Sequence, residues 1–338
     1  MAGSERRRVW VAAGVAVLLA ACAQQQVKAP APESYTAATT YAKLAPKYPF
    51  IRIASGAVPA SVRAVTNVTY ARREEGAQPH DLKLDLYLPA AGGPASRPAI
   101  VFVHGGGWRA GVRANFAPMA IRMAERGYAA ATIDYRLASD APYPAAIHDV
   151  KAAVRWVRAH AADYGIDPAR IAVAGASAGG QIAALTGVTN AESRFDPDAR
   201  PGDVSSAVQA IVNIDGLSDF TSEEARKYED DPAKQPSSAG AWFGGRYAEK
   251  AALWRDASPL FHVGPGTPPI LFIGSAQRRF SLGREEVVAK LKALGIATGV
   301  VLVPDTPHSF WLFDPWLAPT VEATDGFLRE HLGQGRRN

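Results

Sequence analysis

The sequence predicts an α/β fold: a doubly wound, mostly parallel β-sheet flanked by helices, with one inserted lid-like segment. Three observations predict it. Short continuous apolar runs recur along the chain, as strands buried on both faces require. Amphipathic segments of helical period alternate with them. A serine stands on a small-residue corner, VAGASAGGQIAAL at residues 173–185, between one such run and one such helix.

The elements follow in order. SERRRVWVAAGVAVLLAACAQQQ has a basic start, an apolar run from Val9 to Ala20 and small residues after it. That run is too short to span a bilayer comfortably and reads as a secretory signal over residues 1–21. It ends in Leu19-Ala20-Ala21-Cys22, which resembles the lipobox of bacterial lipoproteins. The resemblance implies cleavage before Cys22 and its lipidation, and Ala23 behind it implies sorting to an outer membrane, on the periplasmic side. Cys22 is the single cysteine, so no disulfide can form within the mature chain. Residues 22–48, rich in Ala, Pro, Gln and Thr without periodicity, read as a flexible tether, leaving 49–338 as one domain.

Within that domain VRAVTNVTYARRE and DLKLDLYLPA alternate with period two, as half-exposed strands do. PAIVFV, RIAVAG, QAIVNI, PILFIG and GVVLV are the buried parallel strands. The clearest helix is PAAIHDVKAAVRWVRAHAA, where Ile147, Val150, Val154, Val157 and Ala161 recur at spacings of three and four. GREEVVAKLKALG opens on acidic residues and closes at Gly295, as a capped helix should. From about Leu217 to Pro265 the rhythm breaks, and this segment is expected to lie over one sheet edge as a lid or substrate wall.

Composition narrows the function classes. A hydrophobic content of 48% with 20% charged residues suits a globular protein with a sizeable core. The formal charge of +5 includes a net +2 from Glu5 and Arg6–Arg8, leaving about +3 from Cys22 onward. Without a basic stripe bearing interleaved aromatics, nucleic acid is excluded as a partner. There is no HExxH, CxxC or dense Asp/His cluster, so no metal and no cofactor is implied.

The chemistry starts at Ser177. G-x-S-x-G between a strand and a helix lifts a nucleophile clear of the sheet on a sharp turn, and Gly175 and Gly179 leave that turn room. An earlier strand ends in VFVHGGGWRAG, whose glycines can turn N–H groups toward a tetrahedral oxyanion. His104 reads as an anchor for that loop. A base should come last in the chain. His308, in VLVPDTPHSFW, follows the last buried strand, whereas His262 and His331 stand away from the strands' carboxyl ends. The acid is ambiguous. Asp215, directly after QAIVNI, is preferred; Glu285 at the start of a helix is the alternative, and Asp305 is close to His308 in sequence.

Together HGGGW, IDYRL, PAAIHDVKAAVRWV, DPARIAVAGASAGG and PHSFW make residues 62–332 resemble the α/β-hydrolase superfamily. Within it the chain is similar to the acetylesterase and feruloyl-esterase-like (BD-FAE-like) branch near the hormone-sensitive lipase family. The resemblance implies an α/β-hydrolase fold and an oxyanion hole from the N–H groups of Gly106, Gly107 and Ala178. It also implies that Arg136 and Asp149 pair to support the nucleophile strand. Two departures stand out: GASAGG replaces the GDSAGG of the lipase family, and Gln277 occupies the place where related hydrolases carry the acid. Trp108, Trp242, Phe310 and Trp311 are either pocket walls or core.

The implied activity is that of a serine carboxylesterase acting on short-chain acyl esters, acetyl-type and carbohydrate-linked ones among them. Ser177 is the nucleophile, His308 the base and Asp215 the acid; the partners are a small-molecule ester and a membrane reached through Cys22. The alternatives are a lipid-anchored binding protein of the same fold without catalysis, and a serine peptidase of the same superfamily. Nothing in the sequence sets an oligomeric state.

Overall fold

A computed structural model describes residues 34–74, 79–90, 96–200 and 202–333. Among them the strands are β1 (Arg52–Ile53), β2 (Val62–Arg73), β3 (His80–Pro89), β4 (Arg97–Val103), β5 (Ala129–Ile133), β6 (Ile166–Ala176), β7 (Ala210–Ile214), β8 (Ile270–Gly274), β9 (Thr298–Leu302) and β10 (Phe313–Asp314). Eight form one sheet in the order β2-β3-β5-β4-β6-β7-β8-β9. Pairing from β5 through β4 to β9 is parallel, while β3 runs antiparallel to both β2 and β5. The reading of a mostly parallel sheet is therefore correct.

The helices are α1 (Ala37–Leu44), α2 (Ala117–Glu125), α3 (Ala145–Ala159), α4 (Ala161–Tyr164), α5 (Ala178–Val188), α6 (Glu223–Glu229), α7 (Ser238–Phe243), α8 (Tyr247–Asp256), α9 (Arg284–Ala293) and α10 (Leu317–His331). They cover both sheet faces. Successive side chains of a strand point to opposite faces, and β4 divides accordingly. Val101 and Val103 enter a core with α3, α5 and α9, whereas Ile100 and Phe102 enter a second core with α2 and α10. Burial on both sides is why β4, β7 and β8 read as largely apolar runs.

Three differences from the sequence reading have physical causes. Strand β5 is AAATI, and its alanines, poor strand formers, hid it; all five residues are nevertheless buried. The insertion is anchored from beneath: Phe220, Trp242, Phe243 and Trp254 are buried in the core that also holds Trp108. The tether reading is corrected for residues 34–48, since α1 lies within it. Thr36 and Thr39 form a reciprocal capping box, Thr36 Oγ1 accepting from Thr39 N at 3.1 Å. Tyr41, Leu44 and Tyr48 then pack against the second core. The signal segment, Cys22 and the rest of the tether lie outside the described residues.

The register aligns the carboxyl ends that matter. Val103 pairs with Gly175, Ala176 with Ile214, and Gly274 with Leu302. The loops after β4, β6, β7, β8 and β9 consequently leave the sheet at one edge, where open α/β sheets carry their sites.

Candidate active site

Ser177 joins β6 to α5 at φ 56° and ψ −126°, a conformation that costs a non-glycine residue about 1–3 kcal/mol. Neighbouring contacts enforce it. Ser177 N donates to Ile214 O at 2.8 Å, and Ser177 O accepts from Gln181 N at 3.1 Å. A Cβ on Gly175 would lie 2.1 Å from Gly179 O, and one on Gly179 would lie 2.1 Å from Val103 O. Only glycines let this corner close.

His308 Nε2 lies 2.8 Å from Ser177 Oγ, and its Nδ1 lies 3.0 Å from Asp215 Oδ2. Asp215 begins the turn after β7 at φ 47°, and its side chain is 1% exposed. Asn213 fixes that turn by clasping Gly216, with Gly216 N donating to Asn213 Oδ1 at 2.8 Å and Asn213 Nδ2 donating to Gly216 O at 2.9 Å. The second carboxylate oxygen, Oδ1, accepts from Ser275 N at 2.7 Å. Both oxygens are thus engaged, and the carboxylate can turn only one of them to the imidazole.

Phe280 stacks on the His308 ring at 3.4 Å between centroids and 8° between planes, and Trp311 meets it edge-on at 5.1 Å. Burial under these rings pushes the His308 pKa below its ordinary value; the hydrogen bond and charge of Asp215 oppose the shift, and the Arg279 charge adds to it. A ring held neutral near physiological pH is able to take a proton.

The loop after β4 carries the third component. Gly106 and Gly107 have φ of 131° and 59°, and a Cβ on Gly106 would lie 2.0 Å from Ala110 O. Among the described residues neither N–H makes a backbone hydrogen bond, and Ala178, first residue of α5, has no intrahelical acceptor for its own. The loop packs directly on the serine: a Cβ on Gly105 would lie 3.0 Å from Ser177 Cβ. His104 anchors it through Nδ1 and Gly105 O at 2.9 Å, stacked on Tyr135, whose hydroxyl donates to His104 O at 2.9 Å. Burial keeps His104 neutral by lowering its pKa. Trp108 Nε1 donates to Gln181 Oε1 at 2.9 Å, and Gln181 Nε2 donates to Ala257 O at 2.7 Å, which ties loop, α5 and insertion together.

Other expected residues are placed as follows. Glu285 is exposed and pairs with Arg284 at 2.6 Å, whereas the carboxylate on the imidazole is that of Asp215. Gln277 and Asp305 are exposed. His262 binds Glu192 and Asp256 O, and His331 lies in α10 against Phe327. Arg136 and Asp149 form a buried bidentate pair, Nε to Oδ2 and Nη2 to Oδ1 both at 2.9 Å, joined by Arg73 Nε at 2.9 Å. Trp108, Trp242 and Phe310 belong to the cores, and Trp311 does too while also touching His308. Phe280, Asn213, Gln181 and Tyr35, whose hydroxyl bonds Ser309 Oγ at 3.0 Å, escaped the sequence reading. The N-x-D-G run at 213–216 was the one local signal, an Asn able to clasp a turn that begins with the acid.

A parallel sheet whose carboxyl edge gathers a serine elbow, a histidine loop and a glycine loop defines a protein of the α/β-hydrolase fold. The profile of the BD-FAE family matches residues 84–279, and the chain belongs to that family. Among curated proteins it is similar to esterase LipQ of Mycobacterium tuberculosis, 34% identical over 264 residues that cover 72% of this chain and 58% of LipQ. Among solved structures it is similar to butyrate-bound Est2, an esterase of Thermogutta terrifontis, with a TM-score of 0.64 and 28% identity over 82% of this chain and 97% of that one. It is also similar to a bifunctional GH43-CE protein of Bacteroides eggerthii, with a TM-score of 0.65 and 26% identity over 80% of this chain and 38% of that one. The chain therefore spans little more than half the length of LipQ and less of the GH43-CE protein.

Proposed function

We propose that the protein is a serine carboxylesterase that hydrolyses short-chain acyl esters, acetyl esters on carbohydrates among them. The observation that carries the reading is the unbroken chain Ser177 Oγ, His308 Nε2, His308 Nδ1, Asp215 Oδ2, with steps of 2.8 and 3.0 Å between residues. Ser177 Oγ attacks the ester carbonyl as His308 Nε2 takes its proton. Asp215 steadies the imidazolium that forms and holds the tautomer with hydrogen on Nδ1. The N–H groups of Gly106, Gly107 and Ala178 receive the oxyanion, each such donor being worth about 3 kcal/mol of barrier. The imidazolium returns its proton to the leaving alcohol, the acyl group stays on Ser177, and water activated by the same imidazole releases it.

Membership of the BD-FAE family and the esterase names of the relatives support the ester class, and the butyrate bound to Est2 supports a short acyl group. The lipobox at Cys22 supports attachment to an outer membrane facing the periplasm. Turnover of nitrophenyl acetate by the wild type and its loss in Ser177→Ala test the activity; no turnover in either form refutes it. A preference for long-chain triglyceride over acetyl esters refutes the substrate class, and an N-terminal peptide from the expressed protein whose Cys22 carries no acyl chains by mass spectrometry refutes the anchor.

A further inference from the structure

We infer that residues 34–54 form a clasp that positions the base, with the Tyr35 hydroxyl as its point of action; this rests on the reading of His308 as base. The segment engages the chain that carries His308 at successive points. Tyr35 Oη meets Ser309 Oγ at 3.0 Å, one residue after the imidazole. Tyr41 packs on Phe313 at 6.3 Å between centroids. Tyr48 and Phe50 meet Trp316 edge-on at 5.4 and 5.6 Å. Backbone pairing completes the grip: Arg52 pairs with Asp314 and Ile53 with Phe313, and Ala54 N donates to Leu312 O at 3.0 Å.

The contact at Ser309 differs from the rest because of where it falls. Ser309 is buried and adopts φ 76°, so the turn that aims His308 is strained and needs outside support. Tyr35 is the one partner of its hydroxyl among the described residues. Tyr35 is itself held from the other side, its carbonyl accepting from Asn115 Nδ2 at 3.0 Å just beyond the glycine loop. The clasp thus bridges the histidine loop and the loop that precedes α2. A displacement of about 1 Å in a reacting group costs as much as a hundredfold in rate, and removing this single hydroxyl frees the turn next to the base.

The test is Tyr35→Phe, which keeps the ring and deletes only the hydroxyl, assayed with nitrophenyl acetate in the full chain. The expected result is a fall in kcat of roughly ten- to a hundredfold with KM within about twofold of wild type. Ser309→Ala is expected to lose a similar factor, and the double variant no more than either single one, since both hydroxyls act as one unit. A kcat for Tyr35→Phe within twofold of wild type, or multiplying losses in the double variant, overturns the proposal. A second readout is independent of turnover: the low-field proton on His308 Nδ1, assigned by its absence in His308→Ala. It should be sharp in wild type and broadened by exchange in Tyr35→Phe. If the wild type turns over no ester, the esterase reading fails, and this resonance still decides the clasp: an unchanged line overturns it.

Discussion

Replacing Asp215 by Asn changes one atom and should nearly silence the protein. Asp215 is buried, with Oδ2 on His308 Nδ1 at 3.0 Å and Oδ1 on Ser275 N at 2.7 Å. The Ser275 N–H needs an acceptor, so the amide oxygen of Asn must stay on that side and its NH2 must face the imidazole. His308 Nδ1 would then accept rather than donate, moving the ring hydrogen to Nε2, where the Ser177 proton has to go. The charge is lost as well. Two unit charges about 4 Å apart at an effective dielectric constant of about 20 attract by about 4 kcal/mol, equivalent to about a thousandfold in rate. With the wrong tautomer added, a loss of about 10³–10⁴ in kcat is expected. The assay is nitrophenyl acetate hydrolysis, with Ser177→Ala as baseline and Glu285→Gln as a control expected within about twofold of wild type. An Asp215→Asn enzyme within tenfold of wild type, or a large loss in Glu285→Gln, refutes the reasoning.

Other consequences are equally specific. His308 must be neutral to accept a proton, and burial lowers its pKa beneath the ordinary 6.5, so the acid limb of kcat/KM should lie below that pH and activity should fall only as pH drops through it. Phe280→Ala lets water reach the ring and should move that limb upward; an unmoved or lowered limb contradicts the stacking argument. Gly106→Ala, whose Cβ would sit 2.0 Å from Ala110 O, should cut kcat by about 10²–10³ through a displaced oxyanion donor, as read in steady-state kinetics. Asp149→Ala removes the buried carboxylate that Arg136 and Arg73 share and should cost about 3–5 kcal/mol in urea unfolding, whereas a cost below about 1 kcal/mol would show the ion pair to be dispensable.

The parts legible in the sequence were those where backbone sterics leave little choice. Gly175 and Gly179 around Ser177, and Gly105 and Gly106, stand where a Cβ would run into a carbonyl, and Gly107 adopts φ 59°, so their spacing carries the geometry directly. Chain order selected His308 because the loop after β9 opens at the same sheet edge. The acid was harder. The loops after β7 and β8 leave adjacent strands at that edge, and which of them reaches Nδ1 depends on three-dimensional register. Gln277 signals only that the usual loop is vacant, while the Asn213 clasp on Gly216 shows how Asp215 is aimed. Tyr35 and Phe280 left no trace, since their partners Ser309 and His308 are 274 and 28 positions away and no periodicity links them. Strand β5 and helix α1 were missed for a related reason: alanine and threonine patterns are weak until a core gives them a side to face.

The central claim is that Ser177 is an activated nucleophile, and covalent labelling tests it most directly. The protein is incubated with a fluorophosphonate ester, and the adduct is located by peptide mass spectrometry. Stoichiometric modification of the peptide bearing Ser177, slowed by orders of magnitude in His308→Ala, is the expected result. An unmodified Ser177 in folded protein, or labelling that proceeds equally without the imidazole, would contradict the account.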